Sequence, residues 1–253
     1  MIKLKSPQEI EMIADSGRIL AKVFDKVLKE VKVGVSLENL DKLARRLIEE
    51  YGGQPAFLGY QPEGASHPYP ASICASINDT VVHGLPLNYQ LKSGDVLKFD
   101  FGVIYKNFYS DAAKTVAVGK VSKTAKLLIK ATKKALEQAI KQAKPDNHLG
   151  DIGWAINQCV EKAGFKIIQG LTGHGIGFKL HEEPTVYNFG KKGEGIKLKP
   201  GMVLAIEPMT AVGSGRIIKR KDNSYVTADS SLSAHFEHTV AITKKGPRIL
   251  TKL

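Results

Sequence analysis

Residues 94–119 read GDVLKFDFGVIYKNFYSDAAKTVAVG, and the fold turns on how this stretch is paired. Two runs of period-two character, 95–105 and 108–119, are joined by Lys106-Asn107, which reads as a β-hairpin. Side chains alternate across a strand, so Lys98, Asp100 and Gly102 share one face and Phe99, Phe101 and Val103 the other. In the second run Tyr109, Asp111 and Ala113 share a face. The hairpin therefore brings Asp100 and Asp111 side by side. A carboxylate in such apolar surroundings, left without a partner, loses several kcal/mol in desolvation or takes up a proton.

Three further metal-type side chains stand in similar contexts along the chain: His174 in GHGIG, Glu207 in LAIEPM and Glu237 in AHFEHTVAIT. Converging carboxylates repel one another, and a cation between them removes both the repulsion and the desolvation problem. Oxygen-rich sites with a single imidazole suit hard or borderline divalent metals.

Around this hairpin the rest of the chain reads as α+β. Ser6-Pro7-Gln8-Glu9 starts a helix that runs to about residue 31, with Ser as cap and Pro at the first position. A second helix begins at Ser36, carries Leu40, Leu43, Leu47 and Ile48 on one face, and stops at Gly52-Gly53. A turn-rich stretch from Pro55 to Pro70 precedes a strand over 71–82. Ser122 caps a third helix that ends before Pro145, and a fourth, over 149–163, ends at Gly164. Trp154 on that helix is expected in the core. Strands are expected over 202–209, 224–228, 233–243 and 247–251. Each half has two helices followed by acid-bearing strands, a hint of duplication with its boundary near residue 121. No linker or low-complexity tract interrupts residues 1–253, which are expected to form a single catalytic domain.

Composition excludes several classes. Of 253 residues, 43% are hydrophobic and 25% charged, which suits a globular protein with a large core. Cys74 and Cys159 cannot make a disulfide framework, and neither has zinc-finger spacing. No run suits a signal peptide or a membrane span, so a cytoplasmic location with no membrane contact is expected. The net charge of +12 leaves open a polyanionic partner or a well-solvated surface.

The segments SINDTVVHGLP (76–86), 94–116 of the hairpin, TGHGIGFKLHEEPTV (172–186), GMVLAIEPM (201–209) and SLSAHFEHTVAIT (231–243) closely resemble those of bacterial-type (type I) methionine aminopeptidases, peptidase family M24. The resemblance covers nearly the whole chain. It implies a pita-bread fold: pseudo-symmetric halves, with helices covering a curved antiparallel sheet and the active site between the halves. It implies removal of the initiator methionine from nascent polypeptide N-termini, with a small second residue preferred.

The resemblance also implies two divalent ions (Mn, Fe, Co, Zn or Ni). Asp100 would bind one, Asp111 and Glu237 would bridge both, and His174 and Glu207 would complete the other. In the implied mechanism a metal-bridging water attacks the carbonyl after the methionine, and Glu207 shuttles its proton as base and then acid. His83 and His181 contact the scissile peptide, His181 stabilising the charge that develops on its oxygen. A free α-amine coordinates the second ion, while Cys74 and Tyr69 line an apolar pocket for the thioether.

Two positions depart from the family pattern. His235 stands where relatives commonly carry Gln. By strand alternation it shares a face with Glu237, so it is expected to look into the metal site, to bind substrate, perturb the metals or add a ligand. His238, on the opposite face, is expected to make a structural contact. Near Asn223 a Trp at the pocket rim is expected instead. A basic cluster in the Gly-rich loop after Glu207, Arg216, Lys219, Arg220 and Lys221, backed by Lys191 and Lys192, is a candidate for docking on ribosomal RNA. A monomer is expected. The rival readings are a proline-specific aminopeptidase or prolidase on the same fold, and a metal-free binding module on the same scaffold.

Overall fold

The hairpin forms as expected, and both of its faces are buried. The computed structural model describes residues 2–61 and 67–252. The chain begins with α1 (Pro7–Lys29), α2 (Leu37–Glu50), β1 (Gln54–Pro55), β2 (Cys74–Ile77), β3 (Thr80–Val82), β4 (Val96–Tyr105) and β5 (Phe108–Ala117). Its second half comprises α3 (Lys123–Gln142), α4 (Leu149–Lys162), β6 (Lys166–Ile167), β7 (Gly173–Gly175), β8 (Glu182–Val186) and β9 (Val203–Ile206). It ends with β10 (Met209–Ala211), β11 (Ile217–Lys219), β12 (Tyr225–Thr227), β13 (Ser233–His235), β14 (His238–Thr243) and β15 (Gly246–Ile249).

The helix starts follow from their caps. The Ser6 hydroxyl accepts from the Glu9 N–H (3.2 Å) while the Glu9 carboxylate accepts from the Ser6 N–H (2.7 Å), a reciprocal capping box. Ser36 and Ser122 cap α2 and α3 through the N–H groups three residues on.

Among the described residues all strand pairs are antiparallel and fall into four sheets. In the first, β4 pairs with β5 along one edge and with β1 and β2 along the other. The largest runs β15-β14-β9-β7-β8, and the two smaller ones run β13-β10-β6 and β11-β12-β3.

Phe99, Phe101 and Val103 on β4 are fully buried beneath α1, where Phe101 stacks on Phe24 with centroids 4.3 Å apart. Each such ring contributes about 2–3 kcal/mol by leaving water. A second core joins Leu128 and Leu136 of α3 and Ile152 and Ile156 of α4 to Leu204 of β9 and Val240 of β14.

The halves are stitched at β5. The Asp111 N–H donates to Thr239 Oγ1 (2.9 Å), which donates to the Asp111 carbonyl (2.8 Å). The Glu237 N–H donates to the Ala113 carbonyl at 2.9 Å. Thr115 Oγ1 accepts from the His235 N–H (2.8 Å) and donates to its carbonyl (2.6 Å).

Three expected strands are interrupted. Residues 71–82 split into β2 and β3 around Asn78, which adopts φ +52°. Residues 202–209 break at Glu207-Pro208, and 233–243 break at Phe236-Glu237. Part of the turn-rich stretch 55–70, residues 62–66, lies outside the described residues. Trp154 is only half-buried, with the Lys192 ammonium 3.8 Å from its ring centre, so it belongs to a cation–π contact rather than the core. No described helix is long and apolar enough to cross a membrane.

Candidate metal centre

The ladder between β4 and β5 sets Asp100 opposite Ala113 and Asp111 opposite Gly102, so the two carboxylates are diagonal neighbours on one face. The second half repeats this arrangement. His174 on β7 stands opposite Ala205 of β9, which makes Glu207, just past the end of β9, its diagonal neighbour. Glu237 immediately precedes β14, whose first residue pairs with Ile206. Close backbone approach around His174 depends on glycine: a Cβ on Gly173 would stand 2.3 Å from the Ala205 oxygen, and one on Gly175 2.2 Å from that of Glu183.

These elements bring all five residues to one cleft of about 340 Å³, together with His83, His181, Cys74 and Tyr69. Ligand atoms of Asp111, His174 and Glu237 lie within 4.8 Å of one another, as do those of Glu207, His235 and Glu237. Nε2 of His174 is 3.6 Å from Oε1 of Glu207. Its Nδ1 lies 2.8 Å from the Gly175 carbonyl, which accepts the ring proton and leaves Nε2 with a lone pair facing the carboxylates.

Asp100, Asp111, Glu207 and Glu237 are each at most 9% exposed. No Lys or Arg makes an ion pair with any of them among the described residues. One oxygen each of Asp100 and Glu237 is buried without a hydrogen-bond partner. Burial, followed by repulsion from neighbouring carboxylates, pushes Asp100, Glu207 and Glu237 well above the usual carboxylate range. Burial lifts Asp111 to about 7 and lowers His174 to about 4. Four converging carboxylates with no basic partner and a correctly oriented imidazole fit a cation, and hard oxygen donors dominate the set.

The remaining expectations can be placed around this cluster. His83 follows β3 at φ +58°, with Tyr225 edge-on at 5.7 Å. His181 Nδ1 is 2.6 Å from the Tyr60 hydroxyl, and its ring centre is 4.3 Å from that of His174. Burial, with His174 and His83 nearby, lowers His181 to about 3. Cys74 lies opposite Asp100 across β2 and β4, and the Tyr69 hydroxyl donates to the Ile73 and Gly84 carbonyls.

His235 does look into the site, its Nε2 3.3 Å from Glu207 Oε2. His238 points away, as expected, with Nδ1 2.8 Å from Thr251 Oγ1. Asn223, at φ +66°, lines the cleft beyond β11 and is within 3.3 Å of His67. The basic cluster departs from its expected loop: Lys219 closes β11, and Arg220 pairs with Asp79 at 3.3 Å. Tyr60 and Phe57 also line the cleft. No sequence signal had marked them, because both lie in the turn-rich stretch outside any periodic run.

Comparison with known proteins agrees with this geometry. Residues 11–244 match the model of metallopeptidase family M24. The chain is 49% identical to a methionine aminopeptidase of Aquifex aeolicus, over 100% of this chain and 99% of that protein. It superposes with a TM-score of 0.96 on the crystal structure of a methionine aminopeptidase from Thermotoga maritima, at 40% identity and with each chain fully covered. A prolidase from Pyrococcus furiosus gives a TM-score of 0.77 at 22% identity, over 99% of this chain and 65% of that one, which shows the shared fold alone. The pita-bread architecture and its carboxylate-lined cleft thus define a metallo-aminopeptidase, an enzyme that depends on divalent metal. Within family M24, the chain belongs to the methionine aminopeptidases.

Proposed function

We propose that this enzyme removes the initiator methionine from nascent polypeptides, preferring a small second residue. Two divalent ions would be held by Asp100, Asp111, His174, Glu207 and Glu237. The observation that carries this reading is the convergence of His174 and four buried carboxylates, which no described Lys or Arg pairs with, in one cleft that also contains Phe57, Tyr69 and Cys74. When bound, paired cations lower the pKa of a water and polarise a peptide carbonyl.

The protein's own groups do the rest. Glu207 accepts a proton from the attacking water and returns it to the leaving amine. With the Tyr60 hydroxyl donating to Nδ1, His181 keeps its proton on Nε2 and donates it to the scissile carbonyl oxygen, where charge develops. His83 hydrogen-bonds the substrate backbone. Cys74, Tyr69 and Phe57 provide an apolar, polarizable surface for the thioether.

A peptide panel tests this reading. Met-Ala, Met-Gly and Met-Ser peptides should be cleaved well, whereas Met-Lys, Met-Leu, N-formyl-Met-Ala and Ala-Pro peptides should resist. Chelation should abolish turnover, and added metal should restore it. Equal rates across the panel, or undiminished turnover after chelation, would sink it.

We also propose that the enzyme docks on ribosomal RNA through Arg216 and the basic hairpin β11–β12, where Arg216, Lys219 and Lys221 are exposed. Phosphate contacts of this kind weaken steeply with salt. Changing Lys219 and Lys221 together to Glu, with the Asp79-paired Arg220 left intact, should reduce low-salt co-sedimentation with ribosomes and leave cleavage of short peptides unchanged. Undiminished sedimentation rules this hairpin out.

A further inference from the structure

His235 is 1% exposed, and among the described residues neither of its ring nitrogens has a hydrogen-bond partner. A buried polar group in that condition costs free energy unless something nearby uses it. Its position is not slack, because both its N–H and its carbonyl are tied to Thr115 Oγ1. What it faces is Glu207, whose two oxygens look toward different imidazoles: Oε1 lies 3.6 Å from His174 Nε2, and Oε2 lies 3.3 Å from His235 Nε2. The backbone of Glu207 is itself fixed by Asn188, whose Nδ2 donates to its carbonyl at 3.1 Å.

The two histidines differ at the far side of the ring. His174 gives its Nδ1 proton to the Gly175 carbonyl, the support a metal-ligating imidazole needs to offer Nε2 as a lone pair. His235 has no acceptor at Nδ1, so its surroundings do not fix that tautomer. The tautomer they favour carries the proton on Nε2, since a carboxylate oxygen lies 3.3 Å from it, near enough to become an acceptor.

We propose that His235 is a positioning residue: a small turn of its ring from the 3.3 Å contact lets Nε2–H donate to Oε2 of Glu207, so that Oε1 is presented beside His174 Nε2. This rests on the reading of Glu207 as ligand and proton carrier. It divides the carboxylate into an oxygen turned to the cation and an oxygen held by the protein.

The test uses full-length protein, Mn(II) as the probe, and two variants. In His235→Gln the amide can still donate; in His235→Leu nothing can. By calorimetric titration of the metal-free proteins, His235→Leu should bind Mn(II) about 10–100-fold more weakly than the parent, the usual effect of losing a partner behind a metal ligand, and His235→Gln within about threefold of it. On Met-Ala-Ser, kcat should fall in His235→Leu with KM little changed, and His235→Gln should recover most of it. Pulsed electron paramagnetic resonance of the Mn(II)-loaded parent should show a single coordinated imidazole nitrogen, from His174.

Parental affinity and kcat in His235→Leu would make His235 a bystander. Two coordinated imidazole nitrogens in the parent, one lost in His235→Gln, would make it a ligand and overturn the proposal even if His235→Leu fails to fold. Failure of the Glu207 reading shows up separately, as full activity in Glu207→Gln.

Discussion

At the scale of single residues, the site was legible because its chemistry-bearing side chains sit where apolar neighbours make them conspicuous. Asp100, Asp111, His174, Glu207 and Glu237 all reach one cleft. Tyr60 was not legible: its hydroxyl reaches His181 across 121 positions of sequence, and no local pattern encodes so distant a contact. Glu207 carries the sharpest prediction at this scale. Glu207→Gln keeps the size and one oxygen but cannot take up a proton, so kcat on Met-Ala-Ser should drop by about 10²–10⁴. Circular dichroism and thermal melting should show a retained fold. A variant turning over at the parental rate would remove Glu207 from the proton path.

At the scale of elements, helices were easier to read than strands. Ser6, Ser36 and Ser122 announce their helices locally, through hydroxyls that satisfy free N–H groups. The strands near the site resisted because apolar residues run on through their breaks. Val203–Ile206 and Met209–Ala211 read as one strand until Glu207-Pro208 is seen to turn the backbone, and His235 and His238 belong to different strands for the same reason. Alternation still placed His235 correctly, since both flanking segments face the same cluster. The two-residue strands β1 and β6 carry no period to detect. Close approach between β7 and β9 gives a test at this level. Gly173→Ala puts a methyl group 2.3 Å from the Ala205 carbonyl oxygen, so the strands must part. The expected cost is about 1–3 kcal/mol of stability, read by urea unfolding, with weaker metal binding as His174 shifts. A variant with parental stability and metal affinity would show that β7 does not need this contact.

At the scale of the whole molecule, the clustered charges tie stability to pH and metal together. Carboxylates whose folded pKa is raised stabilise the fold below their unfolded pKa, near 4, and that contribution is lost as pH rises through the folded value. For Asp111 that value is about 7, and Asp100, Glu207 and Glu237 lie well above the usual range. His174, His181 and His235, lowered by burial to about 4, 3 and 3, act in the opposite sense and oppose folding only below their unfolded pKa. Above about pH 7.5 the imidazoles are neutral in both states, but Lys98, lowered by burial to about 7, gains stability as pH rises and opposes the carboxylates, so their contribution is read against a form in which a cation occupies them. Relative to the metal-saturated protein, the metal-free protein should therefore lose melting temperature from pH 6.5 to 9, by about 3 °C per pH unit for each carboxylate proton still bound. A gap between the two melting temperatures that stays constant or narrows over this interval contradicts the raised carboxylate pKa values.

The stitching of β5 to β13 and β14 has a consequence for ownership of the cations. Asp100 and Asp111 precede α3, whereas His174, Glu207 and Glu237 follow it, so neither portion of the chain holds all five proposed ligands. In a protein severed between β5 and α3, reassociation of the fragments and capture of the cation are one mass-action equilibrium, and raising the metal concentration draws the fragments together. Peptidase activity in such a mixture becomes a titratable signal of fragment complementation, silent in either piece alone.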